Sequence, residues 1–239
     1  MSSNGKIPII DFDVFLKGDS SSKLSVSKDL VSAVKTFGFV YLKTLTMSKQ
    51  QIDEMFELSR LFFQSSLPLK HSVAKSHETF CGYDAVELEK LSKERPADYK
   101  ESFMINQFGT PWPAFDDPTQ SSHFKLAMLE FHQKCFDLGF SIFTSLLLGL
   151  DVETALFDNQ FSKGECTIMR LLHYPPMLET NKENQLRCGE HTDYGALSFL
   201  FQDSVGGLEI KTKEGFFFNL TSLMRHLYRI KDFENFLIK

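Results

Sequence analysis

The sequence lacks the features that mark nucleic-acid-binding and membrane proteins. It carries 26 Lys and Arg against 31 Asp and Glu, a formal net charge of −5 at pH 7, so no basic excess is present to attract nucleic acid or an anionic lipid surface. Its most apolar stretch, residues 135–150, contains Asp137 and is too short to span a bilayer. We therefore expect neither nucleic acid nor a membrane as a partner.

Cysteine is also scarce. The 4 cysteines lie far apart and form no C-x-x-C pair, which argues against a structural zinc site and against a disulfide framework. They are Cys81, Cys135, Cys166 and Cys188. The first residues are polar and show no apolar core of a secretory signal. Together these absences predict a reducing, cytoplasmic location.

The first half of the chain carries a helical hydrophobic pattern. Apolar residues recur at three- and four-residue steps, which predicts a helix around residues 24–37, ended by Gly38, and another across residues 128–147. Between them, Ser48 and Gln51 form a capping box that predicts the start of a third helix. At 239 residues the chain is long enough for one large domain, or for a core domain with a helical partner.

Strand patterns dominate after Gly164. Alternating and short apolar runs predict strands at residues 166–174, 196–201 and 208–212, in addition to a short edge strand at residues 7–12 near the N-terminus. A mostly helical half followed by a strand-rich half indicates an α+β fold and not alternating βαβ units.

The last segment returns to helical spacing. From Leu220 onward the apolar residues again recur at three- and four-residue steps. They are Leu220, Leu223, Met224, Leu227, Tyr228, Ile230, Phe233 and Leu237. We therefore predict that the chain from Leu220 onward is helical, or poorly ordered, and does not complete a sheet.

His191 and Asp193 form the motif with the clearest chemistry. In an extended chain, side chains two residues apart point to the same side, so this imidazole and this carboxylate could take adjacent corners of one metal ion. A third, distant His would complete the two-histidine, one-carboxylate arrangement that leaves iron with open positions. An H-x-D tripeptide alone is a weak signal, but Gly195 and the apolar run after it place this one at the mouth of a sheet.

The surroundings of this motif carry a family resemblance. His191 to Gly195 and the preceding Met169 to Pro176 are similar to the metal-binding motif and the strand and turn of the isopenicillin N synthase-like Fe(II)- and 2-oxoglutarate-dependent dioxygenases. The match covers roughly residues 6–215, with its catalytic core at residues 166–215. The N-terminal pieces that match are Ile7 to Asp11, Gly38-Phe39, Phe62-Phe63, Gly82-Tyr83 and Asp98 to Glu101.

The resemblance implies roles for individual residues. His191 and Asp193 would be two iron ligands, and Tyr174 would donate a hydrogen bond to a carboxylate of 2-oxoglutarate. Many relatives carry Asn where this chain has Leu172, so one polar contact to 2-oxoglutarate is absent. His173 faces away from Tyr174 along a strand, and we interpret it as a structural or supporting residue.

Two further polar features have structural interpretations. Asp98 to Glu101 is interpreted as a charge cluster on a surface loop without a catalytic role, and His132 as a hydrogen-bonded core residue on an apolar helix face.

The fold that the resemblance implies is a double-stranded β-helix, or jelly roll, with an N-terminal helical and mixed domain. We expect this domain at residues 6–118, a long core helix with its connection at residues 119–164, a partial jelly-roll core at residues 165–215, and a divergent tail at residues 216–239. The jelly roll would be incomplete at the C-terminus.

Two elements of the family pattern are missing after Asp193: a second ligating His, and an Arg-x-Ser that grips the distal carboxylate of 2-oxoglutarate. His226 comes earlier than that pattern would place it and lies in the predicted helix. Arg225 and Arg229 are not followed by Ser two residues later.

The leading hypothesis is a non-heme oxygenase that uses Fe(II), 2-oxoglutarate and O2, with ascorbate as reductant, to oxidise a small organic molecule. The alternative is a catalytically inactive, truncated relative that binds metal weakly or acts as an interaction protein. Because two ligands and no Arg-x-Ser are recognisable, we expect weak Fe(II) binding and poor turnover. Loops around the mouth of the fold choose the substrate, so the motif does not identify it.

Overall fold

The computed structural model describes residues 7–90, 94–153, 167–178, 182–193 and 195–211, and the backbone of three later strands. The helices are α1 Asp13–Lys17, α2 Ser20–Phe37, α3 Lys49–Gln64, α4 Leu67–Ser72 and α5 Pro118–Gly149. The strands are β1 Ile9–Asp11, β2 Phe39–Lys43, β3 Gly82–Asp84, β4 Glu101–Ile105, β5 Met169–His173, β6 Leu197–Phe201, β7 Glu209–Lys211, β8 Phe217–Asn219, β9 His226–Ile230 and β10 Leu237–Ile238. The expected mixture of helices and sheets is confirmed. Among the described helices, none combines the length and apolar character needed to cross a membrane.

Helix α2 ends before Gly38, as the sequence predicts, but α2 and α5 begin earlier than their apolar patterns indicate, at Ser20 and Pro118. The Asp19 side chain caps α2 by accepting a hydrogen bond from the backbone N–H of Ser22, and Gly38 ends the helix at φ 66°. Glycine suits this position because a side chain is strained in the left-handed region.

The described residues of Met1–Ser48, Cys135–Lys163 and Glu190–Lys239 form one compact unit. It holds a sheet of strand order β1-β2-β9-β6 and a second sheet of order β10-β7-β8. Strand β1 is an edge strand among the described strands, as its sequence predicts. It runs parallel to β2. Phe39, Tyr41 and Ile210 are buried together, with Leu200 and Leu208 packed against them.

The prediction of a helical tail is wrong where the structure describes the tail. His226–Ile230 is strand β9, antiparallel to β2 on one side and to β6 on the other, and Leu237–Ile238 pairs with β7. Strand β9 forms backbone hydrogen bonds with β2 on one side and β6 on the other. These hydrogen bonds outweigh the preference for a helix that the local apolar spacing indicates. Residues 220–225 and 231–236 lie outside the described part of the chain.

The second unit consists of the described residues of Lys49–Lys134 and Gly164–Gly189. Its antiparallel sheet has the order β3-β4-β5, with Glu101 of β4 opposite His173 of β5. Phe62 of α3 is fully buried and its ring packs against Phe103 and Phe124, at centroid distances of 4.5 and 6.0 Å. Some of the chain's 25 phenylalanines thus fill the core of this unit.

Glu101 lies at the centre of a buried polar network in this unit, and not on a surface loop. Its carboxylate accepts hydrogen bonds from Lys70 Nζ at 2.9 Å, Tyr83 Oη at 2.5 Å and His173 Nδ1 at 2.8 Å. Lys70 and Glu101 are 6% and 4% exposed. The surface-loop interpretation of residues 98–101 is therefore wrong, because a buried carboxylate with matched donors needs no solvent.

The surroundings of Glu101 hold its carboxyl in the charged form. Burial alone would raise the pKa of Glu101, but the hydrogen bonds from His173, Tyr83 and Lys70 lower it to about 2. The network thereby ties α4, β3 and β5 to β4, and it fixes the strand that Tyr174 follows.

A close backbone approach between α2 and the end of α5 generates a first prediction. A Cβ atom at Gly149 would lie 2.4 Å from the carbonyl oxygen of Ser27, whereas one at Gly139 would meet the Phe199 ring at 3.5 Å, an ordinary contact. We expect Gly149→Ala to lower the free energy of unfolding by about 2–3 kcal/mol. Gly139→Ala, in the same helix, should be neutral or stabilising by up to about 1 kcal/mol. Thermal unfolding of both variants checks this; equal melting temperatures would contradict it.

The buried Glu101 generates a second prediction, on acid stability. The folded carboxyl titrates near pH 2 and the unfolded one near its ordinary 4.5, so this group stabilises the fold above about pH 4.5 and loses that effect as the pH falls toward 2. Glu101→Gln should flatten the stability curve in this window. At pH 7 it should cost about 3 kcal/mol, because Lys70 loses its buried partner.

Denaturant unfolding between pH 2 and 7 is the measurement. Glu57→Gln, which removes an exposed carboxylate paired with Arg60 on α3, is the matched control and should change little. An unchanged acid slope in Glu101→Gln would contradict the assignment.

Candidate metal centre

The structure brings the two predicted metal ligands together. His191, Thr192 and Asp193 lie outside the named strands and helices, a few residues before β6. His191 Nε2 is 3.5 Å from Asp193 Oδ1. The two side chains are 26% and 22% exposed, so they are partly shielded yet accessible.

This spacing fits one bound divalent ion. Two donors at about 2.1 Å from a metal and at a right angle to one another lie about 3 Å apart, so small side-chain rotations would suffice. An imidazole nitrogen with a carboxylate oxygen is a donor set that Fe(II) accepts. In the part of the chain that the structure describes, no cluster of three or more His, Cys, Asp or Glu side chains could hold a metal.

The residue before His191 is fixed by an ion pair. Glu190 Oε1 accepts a hydrogen bond at 2.6 Å from Nζ of Lys211, on strand β7. Sequence reasoning did not identify this pair, because nothing in the local pattern relates Lys211 to the motif.

Two histidines, His226 and His173, are candidates for a third metal ligand. His226 is the first residue of β9 and pairs with Phe201 of β6. The predicted helix, which argued against His226 as a metal ligand, is therefore absent at this residue. Its side chain lies outside the described residues. His173 Nδ1 is bonded to Glu101, and its ring stacks on Phe63 at 5.4 Å.

Tyr174 directly follows β5, and the residue is 37% exposed. Burial of its phenol group raises its pKa, and the neighbouring Cys188, to which the hydroxyl is hydrogen-bonded, raises it further. The phenol therefore keeps its proton at neutral pH. A protonated phenol carries one O–H donor, so the contact to 2-oxoglutarate that the resemblance implies would replace the hydrogen bond to Cys188.

A second buried network lies in the same unit as Tyr174. Lys100 Nζ contacts Asp98 Oδ2 at 2.8 Å, Glu89 Oε2 at 3.3 Å and Cys188 Sγ at 3.7 Å. Glu89 also pairs with Arg170 of β5, whose guanidinium reaches Ser102 Oγ at 3.1 Å. Asp98 and Lys100 precede strand β4, and Lys100 and Ser102, on either side of Glu101 in the sequence, join this network while Glu101 joins the other.

His132 is a core residue, as its position on an apolar face predicts. It is 3% exposed, and its Nε2 lies 3.2 Å from Thr167 Oγ1. Its Nδ1 has no hydrogen-bond partner among the described residues, and burial lowers its pKa, so the ring is neutral.

Two family models match the chain. The one described as the N-terminal region of non-haem dioxygenase in morphine synthesis matches residues 7–126. The one for the 2OG-Fe(II) oxygenase superfamily matches residues 165–228, which include His191 and Asp193.

Curated relatives agree with these models. A 2-oxoglutarate-Fe(II) type oxidoreductase, ppzD of Metarhizium rileyi, is 28% identical over 91% of this chain and 66% of its own length. The 2-oxoglutarate-dependent dioxygenase htyE of Aspergillus rugulosus is 28% identical over 86% of this chain and 67% of its own length. The chain thus spans about two thirds of the length of these relatives.

Solved structures that match this chain cover it over its whole length. The crystal structure of a full-length Neurospora crassa protein in complex with alpha-KG is 31% identical, with a TM-score of 0.86, over 100% of this chain and 80% of that one. A structure of the same protein with alpha-KG and thymine has a TM-score of 0.85 at 30% identity, covering 100% of this chain and 80% of that one. The chain belongs to the 2-oxoglutarate–Fe(II) oxygenase superfamily.

Proposed function

We propose that this chain acts as a non-heme Fe(II)- and 2-oxoglutarate-dependent oxygenase on a small organic molecule, with O2 as co-substrate and ascorbate as reductant. His191 and Asp193 are the proposed iron ligands. The observation that carries the proposal is the 3.5 Å approach of His191 Nε2 to Asp193 Oδ1, inside the segment that matches the oxygenase superfamily.

In this proposal the bound iron supplies the activation of O2, and the protein's own residues hold and orient the reactants. The His191 imidazole nitrogen and an Asp193 carboxylate oxygen would hold the metal. The Tyr174 hydroxyl, kept protonated by its raised pKa, donates to a carboxylate oxygen of 2-oxoglutarate.

The finer predictions about fold and location are part of the same proposal. Residues 6–118 are an N-terminal domain, residues 119–164 a core helix with its connection, and residues 165–215 the first part of a jelly-roll core. Because strands β8, β9 and β10 pair into the sheets, the divergent tail predicted at residues 216–239 is not part of the proposal. The protein is cytoplasmic and has neither nucleic acid nor a membrane as a partner.

Metal binding should depend on both ligands. We expect His191→Ala and Asp193→Ala each to weaken Fe(II) affinity by roughly 100-fold or more, since even a residue that only orients a ligand is worth 10–100-fold. His123→Ala is the matched control: His123 Nε2 lies 3.1 Å from Glu54 Oε1, but this pair is exposed on the surface. Anaerobic Fe(II) titration, followed by succinate formation from 2-oxoglutarate, is the measurement.

The variants of this titration separate the two hypotheses for the chain. Succinate formation that Asp193→Ala abolishes supports the oxygenase. Metal binding without succinate formation supports the inactive relative. Equal loss of affinity in His123→Ala and Asp193→Ala would contradict the assigned ligands. A His226→Ala variant tests His226 as the third ligand. Only if His226 binds the metal should this variant lose as much Fe(II) affinity as His191→Ala does.

Tyr174→Phe tests the proposed contact to 2-oxoglutarate. The variant removes only the hydroxyl, and we expect a roughly tenfold weaker affinity for 2-oxoglutarate, the size of a lost hydrogen bond to a charged group. Calorimetric titration of the metal-loaded protein measures it. Tyr99→Phe is the control. An unchanged affinity in Tyr174→Phe would remove this residue from the proposed site.

The thymine-bound Neurospora crassa structure makes thymine the first substrate to test. We propose a planar heterocycle of this kind as the substrate class. Succinate formation that rises on adding thymine, with a matching oxidised product, would support it. Succinate formation that thymine leaves unchanged would exclude thymine and leave the reaction type intact.

A further inference from the structure

Residues 182–189, which lead into the metal-binding motif, are hydrogen-bonded to residues 87–99 at several points. The holding contacts all lie within one unit. They are Lys182 Nζ to Glu87 Oε2 at 2.8 Å, Gln185 Nε2 to Glu87 Oε1 at 2.6 Å, Gln185 Nε2 to the Ala97 carbonyl at 3.0 Å, Tyr99 N to the Leu186 carbonyl at 2.8 Å, and Gly189 N to Asp98 Oδ1 at 3.0 Å.

Asp98 makes the last of these contacts, and its carboxylate is itself fixed. Asp98 is 5% exposed; one oxygen accepts from the Gly189 N–H and the other from Lys100 Nζ at 2.8 Å. Lys100 is 4% exposed. A buried, charge-assisted pair of this kind keeps the accepting oxygen in one place.

Gly189 stands two residues before His191, so its position limits where the ligand can be. Consecutive Cα atoms are 3.8 Å apart, and the His191 Cα therefore lies within about 7.5 Å of the Gly189 Cα. A fixed Gly189 leaves the imidazole fewer positions to search, and a ligand oriented in advance loses less freedom when a metal binds.

We propose that Asp98 is a positioning residue for the metal-binding motif, acting through its hydrogen bond to the Gly189 N–H and held in place by Lys100. This inference rests on the proposed function, since it assumes that His191 binds the metal. The proposal assigns a role to Asp98 and Lys100, two residues that take no part in the proposed reaction.

The test compares Mn(II) affinity, used as a redox-stable probe and measured by the loss of the free-ion EPR signal. Asp98→Ala removes the acceptor and should weaken Mn(II) binding roughly tenfold, the low end of what orienting residues contribute. Asp98→Asn keeps an acceptor oxygen for Gly189 and should stay within about threefold of the original protein. Glu87→Ala, which cuts two contacts at the far end of the same segment, should leave the affinity unchanged.

Melting temperatures distinguish positioning from general stability. Asp98→Ala and Asp98→Asn both deprive Lys100 of a charged partner, so both should melt earlier, while only Asp98→Ala should lose metal affinity. Affinities that follow the melting temperatures would overturn the proposal, and so would an unchanged affinity in Asp98→Ala. If Asp98→Ala does not fold, Gly189→Ala replaces it: its Cβ would lie 3.3 Å from Asp98 Oδ1 and should weaken binding severalfold, and an unchanged affinity there would also overturn the proposal.

Asp193→Ala separates this proposal from the function on which it rests. If Asp193→Ala binds Mn(II) as tightly as the original protein, the assigned metal site is wrong whatever the Asp98 variants do. If Asp193→Ala loses binding and Asp98→Ala does not, the metal site stands and the positioning role of Asp98 is wrong.

Discussion

The pairing of buried charges is the constraint on which one half of this protein depends. Glu101 has almost no contact with solvent, yet it stays ionised because donors from α4, β3 and β5 converge on it. A charge in that position without its partners would cost more than most core contacts supply. One buried carboxylate therefore joins side chains of all three strands of this sheet, in addition to their backbone pairing and to the phenylalanine core of the unit.

The same short segment contributes to two networks. Glu101 joins one of them, while Asp98 and Lys100, which precede strand β4, join the other. The second network includes Cys188 and the backbone of Gly189, and it surrounds the residue that follows β5, Tyr174. A four-residue motif thus connects the fold of this unit with the chain that enters the metal-binding motif.

The sequence predicted best what local rules decide. The two-residue spacing of His191 and Asp193 predicted that their side chains meet, and they do so although the segment is not part of a strand. The glycine after α2 ended that helix as expected. Prediction from the sequence failed where residues far apart in the chain determine the structure. The helical spacing after Leu220 gave way to β9, since two strand edges needed a partner, and the charges of residues 98–101 were interpreted as solvated because their buried partners lie far away in the sequence.

The proposed function depends on His191 and Asp193 holding iron. The most direct measurement is the anomalous scattering at the iron edge from a crystal loaded with Fe(II) under anaerobic conditions. We expect one strong peak within about 2.3 Å of both His191 Nε2 and an Asp193 carboxylate oxygen. A peak at another group of side chains, or a crystal that takes up iron and shows no peak at this pair, would contradict it.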